Sequence, residues 1–137
     1  MSKKLKLQNK LINAKKSLEV FRKVLETDLT NVIYRDSAIK RFEFTLEICW
    51  KLSKAYLAIS THELNSPKAV FRELAQYEIL SEDEVALALE MVDDRNETSH
   101  DYSESKASKL AVKLPDYYKL IEKIINHPKI ALEATKE

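Results

Sequence analysis

Not one of the 137 residues is glycine, and only three are proline. Tight β-hairpins and many turns of α/β folds draw on glycine to reach positive φ. A chain without any is steered towards helices joined by short polar loops. Leu, Lys, Glu and Ala, all strong helix formers, dominate the sequence and agree with this. The length suits one domain with a real hydrophobic core and is too short for two. The expected fold is all-α: a single bundle of four to five helices over residues 1–137, with 128–137 as a loose tail.

Apolar spacing divides the chain. Leu7, Leu11, Ala14, Leu18, Phe21 and Leu25 recur at threes and fours, which predicts a first helix from about Lys3 to Thr27 with one apolar stripe. A second, from about Arg35 to Ser60, carries Ile39, Phe42, Leu46, Cys49, Tyr56 and Ile59, with Phe44, Ile48 and Trp50 off that line. A helix apolar on more than one side belongs at the centre of a bundle or at a subunit interface. Ser66-Pro67 reads as an N-cap followed by proline at the first helical position, opening a short third helix through Val70, Phe71 and Leu74. Ser81 and Glu84 form a capping box for a fourth helix that delivers Arg95 at its C-terminal end. Ser103 caps a fifth, in which Pro115 predicts a kink or a break.

Charge is nearly balanced, at +1, but unevenly spread. Lys3, Lys4, Lys6, Lys10, Lys15 and Lys16 all precede the first acid, Glu19. Between Glu78 and Glu104, ten carboxylates accompany one cation, Arg95. The lysines read either as an RNA- or partner-facing arm or as a solvated helix face. The acidic stretch reads either as a docking surface for a basic partner or as solvated faces. Cys49 stands alone, so an internal disulfide is impossible and a thiolate metal site is not expected; beside Trp50 it reads as a small buried hydrophobe. His62 and His127 have no metal-ligand neighbours at useful spacing. With no apolar run of about eighteen residues and no signal peptide, the expected setting is the cytoplasm, with no membrane partner.

The densest chemistry lies in Asp93-Asp94-Arg95-Asn96-Glu97-Thr98-Ser99-His100-Asp101-Tyr102. Arginine offers a permanently charged planar fork for phosphate, and histidine both accepts and donates protons near neutrality. Together they can hold or cut a phosphodiester without metal or cofactor. The local alternative is that Arg95 pairs with Asp93 or Asp94 and that His100 caps a helix. In one unbroken helix, residues five apart diverge by about 140°; a break between Arg95 and His100 lets both turn to one spot. Glu43 and Glu47 on the second helix either approach such a site or pair with Arg41 and Lys51.

The stretch Arg95-Asn96-x-x-x-His100-x-Tyr102 resembles the motif of the HEPN superfamily. Arg35-Asp36-Ser37-Ala38-Ile39-Lys40-Arg41-Phe42-Glu43-Phe44-Thr45-Leu46-Glu47-Ile48-Cys49-Trp50-Lys51 is similar to the signature of its branch of nucleotidyltransferase substrate-binding proteins, as is Ser66-Pro67 with Val70 and Arg72. The resemblance spans roughly Leu18 to Ile125. It implies an up-and-down bundle that forms a two-fold homodimer with both motifs near the interface, and a minimal nucleotidyltransferase antitoxin as partner. The expected activity is that of a toxin, a metal-independent endoribonuclease acting on RNA, with no cofactor and no DNA substrate. His100 would be the acid/base, Arg95 the phosphate clamp and Asn96 a supporting group. Tyr102 would be the residue adenylylated to silence the toxin. An older reading of the branch makes the protein a non-catalytic subunit that binds substrate for the transferase.

Overall fold

The computed structural model describes residues 2–60 and 63–136, so His62 lies outside the described residues. Among them the structure is all-helical: α1 (Lys3–Leu25), α2 (Val32–Leu57), α3 (Pro67–Gln76), α4 (Glu82–Thr98), α5 (Glu104–Ile125) and α6 (Pro128–Thr135). α2 is the central element, packed against α1, α3 and α5, while α4 rests on α3 and α5.

Local signals set the helix starts. Ser66 Oγ accepts from the Ala69 amide ahead of Pro67, and Ser103 Oγ accepts from the Lys106 amide. Ser81 and Glu84 close a reciprocal capping box. Asn31 and Ser2 cap α2 and α1 in the same manner as Ser66 and Ser103. Helix ends are harder without glycine. After α3 the chain needs one left-handed residue, and Glu78 supplies it at φ 60°. The Ile79 amide then reaches the Leu74 carbonyl (3.0 Å) and the Glu78 amide that of Ala75 (3.1 Å), a Schellman closure whose Ile79 is fully buried.

The core is one cluster. Phe21 of α1, Phe42 of α2 and Tyr117 of α5 are all buried, and Phe42 stacks on Tyr117 with ring centroids 5.5 Å apart. Burial of such rings contributes about 1.5–3 kcal/mol each relative to exposure.

Two expectations are corrected. Of the kink or break expected at Pro115, the break does not occur: α5 runs on from Glu104 to Ile125. The proline is exposed, while Leu114 and Tyr117 on either side of it are fully buried. Core packing before and after the proline keeps the helix whole despite a cost of about 3 kcal/mol. The stretch after His127 is not a loose tail: His127 Nδ1 accepts from the Lys129 amide, Pro128 takes the first helical turn, and Ile130 and Ala134 are buried. Two apolar residues four apart were enough to lay α6 on α1, where Gln8 Nε2 donates to the Ala134 carbonyl (2.6 Å).

Candidate functional site

α4 ends at Thr98, Ser99 is its C-cap, and a short turn through His100 leads to Ser103 and α5. This is the break the sequence implied. On one side of it lies a cleft of about 640 Å³. Its α2 wall carries Asp36, Lys40, Glu43, Phe44 and Glu47, residues spaced to share one helix face, and the opposite wall carries Arg95, Thr98, Ser99 and Tyr102.

Arg95 does not pair with its neighbours in sequence. Asp93 is held by Lys68 (2.6 Å), and Asp94 by Lys113 (3.1 Å) and the Tyr117 hydroxyl. Arg95 donates to Ser99 Oγ (2.9 Å), and among the described residues it has no ion pair. Its charge is felt across the cleft by Glu47. Burial works to raise the Glu47 carboxyl. The Trp50 indole and the Lys51 ammonium (2.9 and 3.1 Å), with Arg95 opposite, win and hold it below its ordinary value. Glu43 is not paired with Arg41; it accepts from the Thr98 hydroxyl (2.6 Å), which ties the end of α4 to α2.

Tyr102 lines the same cleft. Its hydroxyl donates to Asp36 Oδ1 (2.7 Å), a contact between residues 66 apart in sequence. Burial, then the hydrogen bond and negative charge of Asp36, push the phenol up to about 12. Asp36 in turn sits below its ordinary value, first because Tyr102 donates to it and then because Arg35 does. Arg35 is buried, and bridges Asp36 and Glu104, fixing the start of α2 to the start of α5. The tyrosine is nonetheless half exposed, at 47%.

The four motif residues are therefore only partly gathered. Arg95 and Tyr102 share the cleft. Asn96 and His100 are exposed and are not among its lining residues. His100 does not cap through its ring; its amide closes the turn onto the Glu97 carbonyl (3.0 Å). Sequence reasoning had left Asp36, Thr98 and the Arg35–Glu104 bridge unassigned. Asp36 lies inside the second-helix signature, but nothing local says that Tyr102 folds back onto it.

The acidic stretch also reads differently in space. Glu84 pairs with Lys123, Glu90 and Asp94 with Lys113, Glu97 and Asp101 with Lys106, and Glu104 with Arg35. Lysines of α3 and α5 thus answer most of its carboxylates, and Lys106 is engaged there. Within the Arg95 cleft, three carboxylates still face two cations. Among the described residues no group of three His, Cys, Asp or Glu side chains could hold a metal ion, and no helix is long and apolar enough to cross a membrane.

A family model described as nucleotidyltransferase substrate binding protein like matches residues 9–129. A crystal structure of a protein from Thermus thermophilus is similar, with a TM-score of 0.76 and 39% identity over 81% of this chain and 94% of that one. Curated proteins yield no match.

Proposed function

Because the chain belongs to the HEPN-related family of nucleotidyltransferase substrate binding protein-like proteins, we propose that it is the complex-forming partner of a minimal nucleotidyltransferase. In this reading it presents the Arg95–Tyr102 cleft to the transferase. The observation that carries this is an arginine with no ion pair among the described residues, lining one cleft with a half-exposed tyrosine hydroxyl. A guanidinium without a carboxylate partner has its fork available for a nucleotide phosphate. The phenol on the same wall, already donating across the cleft to Asp36, has a proton acceptor in place should it attack that phosphate. Tyr102 is thus the candidate acceptor of an adenylyl group: its oxygen bonds to the α-phosphorus of ATP, pyrophosphate leaves, and the proton passes to Asp36.

Co-expression with a minimal nucleotidyltransferase from the same genome, followed by size-exclusion chromatography, tests the complex; separate elution of the two proteins refutes it. Incubation of the pair with ATP and intact-mass analysis tests the acceptor. Wild type gains AMP and Tyr102→Phe does not; an equal gain in the variant moves the acceptor elsewhere.

A second reading, a toxin that is a metal-independent endoribonuclease, is favoured by the exposure of His100 in the turn beside Arg95. His100 is absent from the cleft lining that includes Arg95, so this chemistry needs a homodimer in which one subunit's Arg95 meets the partner's histidine. Arg95 would then stabilise charge on the scissile phosphate. His100 would serve as acid/base to the ribose 2′-hydroxyl or the leaving oxygen, worth about 10²–10⁴ in rate, and Asn96 would support them. RNA cleavage in EDTA by wild type and not by His100→Ala supports this reading; equal cleavage by both removes it.

A further inference from the structure

The early lysines do not line the Arg95 cleft. Lys3, Lys6 and Lys10, on successive turns of α1, meet Lys51 and Lys54 of α2 around a separate cleft of about 520 Å³ with Trp50 in its wall. One carboxylate, Glu63, is among its lining residues. Lys54 pairs with Glu63 (3.5 Å), Lys51 with Glu47 (3.1 Å), and Lys3 donates to the Ala58 carbonyl (2.8 Å). Lys6 and Lys10 have no ion pair among the described residues. Five ammonium groups around one hollow repel one another. The acidic stretch of this chain is answered by lysines elsewhere, whereas here cations are concentrated with little to answer them.

We propose that this cleft binds a single-stranded polynucleotide, its phosphates on the lysines and a base stacked on Trp50. A row of cations beside an aromatic ring is the combination that single-strand binders use, because every base has a flat face and every linkage a charge. The shape favours a strand over a mononucleotide. The α1 lysines extend over about 10 Å of helix. The α2 residues that line this cleft, Trp50, Lys51 and Lys54, lie on the same side as Asp36, Lys40, Glu43 and Glu47 of the Arg95 cleft. The proposal goes beyond the proposed function, since it requires neither the transferase nor Arg95.

Trp50 is the only tryptophan, so its emission reports on this cleft directly. The full chain is titrated with an oligouridylate of roughly a dozen nucleotides, within the span a single-strand groove covers, and followed by tryptophan fluorescence. Binding should quench the emission and weaken with salt at a logarithmic slope of about −0.7 per phosphate neutralised. Lys6→Glu with Lys10→Glu should lower affinity at least about tenfold and flatten that slope by roughly 1.4. A Lys6→Gln/Lys10→Gln pair and circular dichroism exclude misfolding as the cause. Lys119→Glu, at an exposed residue that lines neither cleft, should leave the titration unchanged. The proposal is overturned by absent quenching, by charge reversal at Lys6 and Lys10 without effect, by an equal loss of binding in Lys119→Glu, or by ATP binding as tightly as the oligomer.

Discussion

Replacing Asp36 by Asn should make Tyr102 more acidic. The Tyr102 hydroxyl stands 2.7 Å from Asp36 Oδ1, and the phenol lies at about 12 against an ordinary value of about 10. Ionising it places a second negative charge beside a carboxylate. Both groups are about half exposed, so a water-like dielectric sets the lower bound, at which unit charges at that separation repel by about 1.5 kcal/mol, close to one pKa unit. Burial is the larger cause of the elevation and survives the substitution, so the return is partial. The expected change is a fall of about one unit, tenfold more phenolate at any pH below the midpoint. Tyrosine labelled with ¹³C at the ring carbon bearing oxygen, with Tyr102→Phe to assign its signal among the six tyrosines, gives the midpoint by NMR. A midpoint that stays put or rises would refute the electrostatic account. If Asp36 also takes the proton when Tyr102 is adenylylated, the same variant should lose about 10²–10⁴ in transfer rate, so acidity and reactivity would move in opposite directions.

Tyr117→Phe removes a donor to Glu90 and Asp94 from a fully buried ring. With both acceptors still reached by Lys113 or water, a loss of about 1–2 kcal/mol is expected, a Tm drop of roughly 3–8 °C; an unchanged Tm would contradict it. Asp36 and Glu104 sit below their ordinary values of 3.8 and 4.5 through their bonds to Tyr102 and Arg35. Depressed carboxylates stabilise the fold above those values and lose that contribution as pH falls through the folded ones. Urea midpoints should therefore decline below about pH 4.5, with a shallower slope in Arg35→Met; parallel slopes would dismiss the bridge. Cys49 is fully buried and its thiol is pushed up to about 12 by burial, so a disulfide reagent should label it only in denaturant, and rapid native labelling would count against this placement. Glu78→Gly, at φ 60°, relieves a left-handed strain of about 1–2 kcal/mol partly offset by chain entropy, and should raise the urea midpoint.

What could be read in the chain was what is written locally. The caps at Ser66, Ser81 and Ser103 each involve residues three apart, and the structure has all three. The apolar stripe of α1 is likewise periodic, and Leu7, Ala14, Leu18 and Phe21 are buried. No break followed from Pro115, because a local breaker was outweighed by Leu114 and Tyr117 meeting the core. The stretch from Pro128 was too short for its periodicity to stand out. At the site, Arg95 and Tyr102 were recognisable as types, but their freedom or engagement depends on where Lys68, Lys113 and Asp36 arrive in space. Charge gave the least faithful signal: runs of one sign along the chain became pairs across helices, except around Trp50.

α2 runs for 26 residues, and both clefts are cut into one side of it. Helical rise of about 1.5 Å per residue sets Glu47 and Lys54 roughly 10 Å apart along its axis, and Asp36 and Lys54 roughly 27 Å. No loop separates the two hollows, and the chain contains no glycine at which such a span could hinge. α2 therefore acts as a ruler. A ligand long enough to engage both ends would have to match that fixed distance.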